Sequence, residues 1–295
     1  MPAQRFPTLN VVVGTRCDFS CRHCLFDSKT RSKDLKDREI ASLQELIRKR
    51  APRSLFFAGG EPFLYVATIN KISSTHPCPQ KLSVGVTTNG GFAETLSAAK
   101  EKLTSIDHLR HVRMSYDKFH SEFVPISNVK NMFAACEAMR LSFRVIVSIE
   151  SPLDMGLISE LRKIGGFGIE VQPVFNIGRA RKNAVSFSYP AFDRRVLRKH
   201  CPNRKRMAYV CGKGFSICCS YLLFNGAKGI YAHKTAEEHM RSNFYRLMKT
   251  ASFGKLLKIV GRTPETLLPE HSSECALCDY LFKRCGLAGA GATNA

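Results

Sequence analysis

The sequence predicts an α/β fold of six parallel strands that alternate with helices, followed by a smaller cysteine-rich α+β module. Short runs of β-branched and apolar residues alternate with helical periodicity up to about residue 180, where this rhythm stops. Strands joined by helical crossovers are parallel, because each crossover returns the chain to the same end of the sheet. Periodicity alone does not decide between an open sheet and a barrel. The change in pattern predicts domains over 1–180 and 181–295.

The β/α repeats can be placed element by element. The first helix is expected over 36–49, because Ile40, Leu43, Leu46 and Ile47 fall on one of its faces. The strands are expected over 9–14, 54–57, 82–88, 109–115, 143–149 and 168–175. The further helices are expected over 64–73, 93–103, 129–139 and 155–164, with Ser127 as the N-cap of the helix that begins at 129.

The region after residue 180 has a different pattern. A small β-hairpin region is expected over 215–232, with its turn at 226–229. A helix is expected over 235–248, because Thr235 and Glu238 have the spacing of a capping box. The small, glycine-rich residues 288–295 are expected to be disordered.

The chain is strongly basic, with a formal net charge of +21 over 295 residues. The strongest basic run brackets Cys201 and consists of Arg194, Arg195, Arg198, Lys199, Arg204, Lys205 and Arg206. One interpretation is a solvated surface. The other is a patch for an anionic partner, such as an acidic peptide, a phosphorylated metabolite or a nucleic acid.

Neither a membrane span nor a signal peptide is visible in the sequence. No apolar run approaches the roughly 18 residues that a membrane span needs. The apolar run at 11–13 is too short for the core of a signal peptide. We therefore expect a cytoplasmic protein with no membrane partner.

The distribution of the twelve cysteines is more informative than their number. Three lie within 17–24, four within 201–219 and three within 275–285, whereas Cys78 and Cys136 stand alone. A reducing cytosol disfavours structural disulfides. Groups with such short gaps are typical of metal or cluster ligands.

The first group, Cys17, Cys21 and Cys24, forms a C-x3-C-x2-C motif directly after the first predicted strand. Cysteine thiolates hold 4Fe–4S clusters, usually four per cluster, so three ligands would leave one iron open for chemistry. The alternative is a structural zinc site in which His23 or a distant residue is the fourth ligand.

Further motifs follow the later strands in order. They are Ala-Gly-Gly-Glu-Pro at 58–62, Thr-Thr-Asn-Gly at 87–90, Ser-Tyr-Asp at 115–117 and Gly-Arg-Ala at 178–180. With the cysteine motif, they make the chain resemble the radical S-adenosylmethionine (SAM) superfamily over about residues 9–180. His23 departs from the aromatic residue that commonly precedes the third cysteine there. The resemblance implies a partial (β/α)6 barrel that uses a 4Fe–4S cluster to cleave SAM to a 5′-deoxyadenosyl radical.

The same resemblance implies which residues hold SAM. Gly59 and Gly60 would let the backbone approach the cofactor, and the backbone of their motif would accept hydrogen bonds from the SAM ammonium. Glu61 would either add charge there or tie down the loop. The implied SAM-binding residues are Gly59, Gly60, Glu61, Pro62, Asn89, Ser115 and Asp117; of these, Ser115 and Asp117 would bond the ribose hydroxyls, and Asn89 would do the same or support its turn.

The C-terminal cysteines resemble those of SPASM and twitch modules. Cys201-x12-Gly214-x4-Cys219 fits the start of such a module, and Cys275-x2-Cys278-x6-Cys285 resembles its continuation. No cysteine follows Cys285, so the resemblance implies one auxiliary 4Fe–4S cluster rather than two. The predicted ligands are Cys201, Cys219, Cys275 and Cys278. Cys218 is ambiguous with its neighbour Cys219, and Cys285 could replace one ligand or serve a second cluster.

Cys211, Cys218 and Cys285 are left partly unassigned. They could be buried apolar side chains, a common position for free cysteine. The alternative hypothesis makes one of them the hydrogen-atom donor to a substrate radical, as in radical SAM epimerases.

These sequence patterns are compatible with three functions. The first is a radical SAM enzyme that modifies a peptide, by epimerisation or cross-linking, with a flavodoxin- or ferredoxin-type electron donor; the basic run suits an acidic peptide. The second dehydrogenates or epimerises a small metabolite such as a sugar or an aminocyclitol. The third is a zinc-stabilised nucleic-acid-binding protein, which the ordered barrel motifs disfavour.

Overall fold

The computed structural model describes residues 6–26, 33–225 and 229–287. The chain divides into two compact units, Met1–Phe187 and Ser188–Ala295. The first unit ends a few residues after the point where the β/α pattern of the sequence stops. The expected disorder of 288–295 lies outside the described residues.

The first unit is built on a parallel sheet. Its strands are β1 (Thr8–Val12), β2 (Ser54–Ala58), β3 (Ser83–Thr88), β4 (Leu109–Ser115), β5 (Ser142–Ile149) and β6 (Gly168–Pro173). They lie in the order β6-β5-β4-β3-β2-β1, each parallel to its neighbour. Within the described residues β1 and β6 do not pair, so the sheet is open. The predicted fold class, a partial barrel of six parallel strands with an added module, is confirmed.

Helices connect the strands of this sheet. They are α1 (Asp37–Arg50), α2 (Val66–Ser73), α3 (Leu96–Thr104), α4 (Ile126–Ala138), α5 (Gly156–Ile164) and the short α6 (Gly178–Lys182). The predicted apolar face of α1 is buried. Ser127 as the N-cap of α4 is wrong, because Pro125 occupies that position in an extended conformation. Proline suits a helix start, where no backbone donor is needed from it.

The buried, parallel strands bring the sequence motifs to one edge of the sheet. β1 and β2 alternate buried and half-buried residues, and Leu55 and Phe57 of β2 have no exposed surface. Because the strands are parallel, their carboxyl ends meet at one edge. The loops after β1, β2, β3, β4 and β6, which contain the sequence motifs, therefore converge there.

The second unit combines a hairpin with short helices. Antiparallel β7 (Arg206–Val210) and β8 (Gly214–Ser216) form the hairpin. The helices are α7 (Tyr221–Asn225), α8 (Ala236–Arg241), α9 (Asn243–Thr250), α10 (Phe253–Ile259) and α11 (Glu274–Asp279).

Two sequence-based predictions for this unit need correction. Of the expected hairpin region, Phe215 pairs antiparallel with His233, but Tyr221–Asn225 forms α7 rather than a strand, and most of the predicted turn at 226–229 lies outside the described residues. The β7–β8 hairpin turns at 211–213, where Gly212 and Gly214 supply the positive φ angles that the turn needs. The single helix expected over 235–248 is two helices, because Ser242 is extended and its hydroxyl accepts a hydrogen bond from the Tyr245 amide. The capping box of Thr235 and Glu238 is confirmed.

Candidate active site

The loop after β1 brings Cys17, Cys21 and Cys24 together. A backbone hydrogen bond from Cys24 to the Cys21 carbonyl closes a turn between them. Burial, and then the charge of the neighbouring Cys24, raises the pKa of Cys21, while burial and nearby acidic groups raise that of Cys17 to about 12. Thiols that resist ionisation, as those of Cys17 and Cys21 do, are stable as thiolates only beside a cation. The donor set therefore fits an iron–sulfur cluster.

The two glycines after β2 pack against this cysteine loop. Gly60 donates a backbone hydrogen bond to the Gly14 carbonyl, and Glu61 donates one to the Arg16 carbonyl. A Cβ on Gly59 would overlap the Gly14 carbonyl oxygen, and a Cβ on Gly60 would overlap that of Arg16. In the structure, both glycines approach the cysteine loop closely. Their approach to SAM, and that of Pro62, stays a prediction.

Substituting Gly60 by alanine is expected to loosen the cysteine loop. The new methyl group meets a backbone carbonyl rather than a movable side chain, so the loops must separate, at a cost of about 1–3 kcal/mol in the free energy of unfolding. Thermal unfolding and iron content of the anaerobically purified protein measure the effect. Gly156→Ala is the matched control, because nothing lies within 4 Å of the added Cβ. Equal behaviour of the two variants would contradict the packing role of Gly60.

Glu61 fastens the glycine loop to the loop after β3. Its buried carboxylate accepts hydrogen bonds from the Phe63 amide at 3.1 Å, the Thr88 hydroxyl at 2.8 Å and the Asn89 amide at 2.9 Å. Burial raises the pKa of Glu61 to about 7, against the opposing effect of these hydrogen bonds. Of the two roles expected for Glu61, these contacts correspond to tying down the loop. The other role, a negative charge beside SAM, stays a prediction.

Asn89 links the loop after β3 to the cysteine loop. Its side-chain amide donates to the Asp18 carboxylate at 2.6 Å and lies 3.6 Å from the Cys17 sulfur. Its carbonyl oxygen accepts from the Gly91 amide at 2.9 Å. The contacts of Asn89 thus support the turn and the first cysteine. The motif after β6 acts in the same way, since the Arg179 amide donates to the Cys24 carbonyl.

Asp117 is engaged within the protein. Its carboxylate, 1% exposed, accepts hydrogen bonds from the amides of Phe119, His120 and Ser148 and lies 2.9 Å from His120 Nδ1. Burial alone would raise its pKa, but the charges and hydrogen bonds of His120, with His23, hold it below the ordinary value. A ribose contact would require these partners to move. Ser115, half-buried at the end of β4, has the more accessible position.

Sequence reasoning missed the grouping of His23 with Asp117 and His120. His23 Nε2 lies 3.6 Å from the Asp117 carboxylate, and the His23 ring stacks on Phe119 with centroids 4.3 Å apart. Burial lowers the pKa of His23 to about 4, so the imidazole is neutral. The stacking explains how histidine replaces an aromatic residue before the third cysteine. The spacing of Asp117 and His120 in the sequence was the available signal.

The second unit contains a cavity lined by cysteines. Cys275 and Cys278 lie one turn apart on α11 and share one face. The cavity is lined by Cys201, Cys218, Cys219, Cys275 and Cys278, with apolar surface from Phe244, Met248 and Phe253. All four predicted auxiliary ligands are therefore brought together, and Cys218 joins them. Cys211, buried after β7, and Cys285, after the π-helical turn Tyr280–Arg284, do not line this cavity.

The surroundings of the adjacent Cys218 and Cys219 differ. Burial, and then the charges of Cys218, Cys201 and Cys275, raises the pKa of Cys278. The Cys218 sulfur accepts a hydrogen bond from the Ser220 amide at 3.4 Å. This bond and the amides of Leu222 and Leu223 lower the pKa of Cys218, against the opposing effect of burial. The Cys219 sulfur instead accepts from the Asn203 side-chain amide at 2.9 Å. Both sulfurs line the cavity and raise the pKa values of Cys201 and Cys275, and Cys218 also raises that of Cys278.

Buried polar groups fix the segment that presents Cys218. The Ser216 hydroxyl accepts from the Cys218 amide at 2.9 Å and donates to the Tyr231 carbonyl at 2.6 Å. His239 Nε2 accepts from the Ile217 amide at 2.7 Å, so its Nδ1 carries the proton and donates to His233 Nδ1 at 3.1 Å. Burial lowers the pKa of His239 to about 3, which keeps this neutral tautomer.

Comparison with known proteins agrees with this site. Residues 11–153, within the first unit, match the family model described as the radical SAM superfamily. The chain is 23% identical over 305 aligned residues to the "Putative peptide biosynthesis protein YydG" of Bacillus subtilis (strain 168), with 93% of this chain and 92% of YydG covered.

A solved structure supports the fold. A structure of anSMEcpe with bound AdoMet and the Cp18Cys peptide matches 95% of this chain and 98% of its own, with a TM-score of 0.52 and 14% identity. Streptococcus suis SuiB bound to the precursor peptide SuiA matches 83% of this chain, with a TM-score of 0.46 and 12% identity. The chain spans 65% of the length of SuiB. No helix in the described part of the chain is long and apolar enough to cross a membrane.

Proposed function

We propose that the protein is a radical SAM enzyme that modifies a peptide. The observation that carries the radical chemistry is the three-cysteine loop, fastened by the glycine, Asn89 and Arg179 contacts at the carboxyl edge of a parallel sheet, within the region that matches the superfamily model. The match to YydG over nearly the whole of both chains supports a peptide as the substrate class.

The chain's own residues prepare the site for SAM and its cluster. When bound, these groups supply a 5′-deoxyadenosyl radical through one-electron reductive cleavage of SAM. Cys17, Cys21 and Cys24 hold three positions of the cluster, and Glu61 and Asn89 keep the surrounding loops in place through buried hydrogen bonds. The SAM-binding roles predicted for Gly59, Gly60, Pro62 and Ser115 complete this site.

We also propose that the second unit binds an auxiliary 4Fe–4S cluster. Burial and mutual repulsion raise the pKa values of the cavity thiols, to about 12 for Cys201 and about 11 for Cys218, which suits thiols awaiting iron. The backbone donors to the Cys218 sulfur also suit a cluster thiolate. We therefore assign Cys201, Cys218, Cys275 and Cys278 as the ligands, with Cys218 in place of the predicted Cys219.

This assignment favours epimerisation and changes the candidate hydrogen donor. Of the earlier candidates, Cys218 becomes a ligand, and Cys211 and Cys285 do not line the cavity. Cys219 remains as a thiol whose burial raises its pKa, so it keeps the S–H bond that a donor needs. Cys219 gives its hydrogen atom to the substrate carbon radical, and an electron and a proton then restore the resulting thiyl group to the thiol. An external carrier of the flavodoxin or ferredoxin type supplies the electron.

Incubation of the reconstituted enzyme, SAM and dithionite in D2O buffer with short peptides encoded beside the gene tests the function. Epimerisation introduces one solvent deuterium from the exchangeable thiol at the modified carbon and leaves the peptide mass in H2O unchanged. Cross-linking instead removes two hydrogen atoms. Mass spectrometry with chiral amino-acid analysis separates these outcomes. Unmodified peptides, combined with 5′-deoxyadenosine formation that a sugar or aminocyclitol stimulates, would overturn the peptide proposal.

A further inference from the structure

An open groove lies next to the cysteine cavity of the second unit. It has a volume of about 490 Å³ and is lined by Lys199, His200, Cys201, Pro202, Arg204, Lys205, Arg206 and Glu274. Concave sites of this size accommodate extended segments or small ligands rather than folded domains. The groove thus gathers part of the basic run into one concave surface.

A tight turn presents the basic side chains to this groove. The Arg204 amide donates to the Cys201 carbonyl at 3.1 Å, and the Arg206 amide donates to the Asn203 carbonyl at 2.8 Å. Lys205 and Arg206 are exposed, and Arg204 is half-buried. Because the turn is closed by its own backbone hydrogen bonds, the positions from which the three basic side chains extend are fixed.

The charge of the groove is not balanced from within the protein. Its one carboxylate, Glu274, lies 2.6 Å from Lys199 and neutralises that residue. Among the described residues, no carboxylate lies within 4.0 Å of the basic groups of Arg204, Lys205 or Arg206. Three uncompensated cations in a concavity attract carboxylates, and low local dielectric strengthens that attraction.

The groove and the cysteine cavity share a wall. Cys201, Pro202 and Glu274 line both. The same turn carries Asn203, whose side-chain amide binds the Cys219 sulfur. A chain lying in the groove would therefore pass beside a proposed cluster ligand and close to the proposed hydrogen donor.

We propose that this groove binds an acidic segment of the substrate peptide and holds it beside the auxiliary cysteine site. The inference rests on the proposed peptide-modifying function and names the part of the surface that selects the substrate. Carboxylates of the segment pair with Arg204, Lys205 and Arg206. An extended peptide fits a concavity of this volume, whereas a folded acidic electron carrier meets only its rim.

Fluorescence anisotropy with labelled peptides tests this directly on the reconstituted holoenzyme. An alternating Glu-Gly peptide is expected to bind, with an affinity that falls as NaCl is added, and a matched Gln-Gly peptide is not. Arg204→Gln/Lys205→Gln is expected to weaken the Glu-Gly peptide about tenfold. Lys258→Gln/Arg262→Gln removes the same charge from exposed positions outside the groove and is expected to leave the affinity unchanged. The single variant Lys205→Glu repeats the test at an exposed side chain and is expected to weaken the Glu-Gly peptide as well.

Four outcomes would contradict the proposed role of the groove. Equal weakening by the groove and control variants would reduce the effect to net charge and overturn the proposal. Binding of oxidised flavodoxin that is lost in the groove variant, without binding of the Glu-Gly peptide, would make the groove a docking surface for the electron carrier. Full iron content and dithionite-driven 5′-deoxyadenosine formation without peptide binding would overturn this inference alone. Absence of iron would overturn the proposed function as well.

Discussion

Replacing Cys17, Cys21 and Cys24 together by alanine is expected to abolish 5′-deoxyadenosine formation. The three thiols share one loop, and the charge of Cys24 acts on the pKa values of both Cys17 and Cys21, so the set is expected to hold the cluster together. The iron content of the reconstituted protein is expected to fall from about eight to about four per chain, on four irons per cluster. Iron and sulfide analysis and a nucleoside assay with SAM and dithionite measure both effects.

The control for this variant is another cysteine of the chain. Cys78→Ala removes a half-buried thiol from a loop between two prolines, away from both cysteine groups, and is expected to keep full iron and activity. Undiminished nucleoside formation in the triple variant, or wild-type protein that holds zinc and no iron, would refute the radical SAM function. About twelve irons would indicate two auxiliary clusters and refute the four-ligand assignment.

Substitution of the adjacent Cys218 and Cys219 is expected to give opposite results. Cys218→Ala removes a sulfur whose charge acts on Cys201, Cys275 and Cys278, so about four irons are expected to be lost while the first cluster still cleaves SAM. Cys219→Ala removes a thiol bonded to Asn203, so iron content is retained and SAM is cleaved, but no epimerised peptide is released. Iron analysis, the nucleoside assay and chiral analysis of the peptide distinguish the two.

Each of these variants serves as the control for the other, since both delete one half-buried thiol from the same segment. The reverse pattern, with iron lost only in Cys219→Ala, would restore Cys219 as the ligand that the sequence spacing predicted. Release of epimerised peptide by both variants would eliminate either cysteine as the donor. Thermal unfolding of the apo proteins checks that each variant folds.

The local sequence pattern was sufficient to predict most strands and helices of the first unit. The strands occur within about two residues of their predicted positions, because apolar β-rich runs between turns have few alternatives in a buried parallel sheet. The face of α1 follows in the same way from helical periodicity. The second unit was predicted less well, since its elements are short. There a single capping serine divides a helix and two glycines place a turn.

The sequence by itself determined the class of fold, the carboxyl-edge position of the motifs and the cysteine groups. These depend on spacing along the chain, which no later packing alters. Only the tertiary structure decided which partners the polar groups have. Glu61, Asn89 and Asp117 are engaged by loops that are distant in sequence, both Cys218 and Cys219 line the cavity of the other thiols, and part of the basic run lines a groove. Hydrogen bonds and charge interactions depend on distance in space, and folding sets those distances.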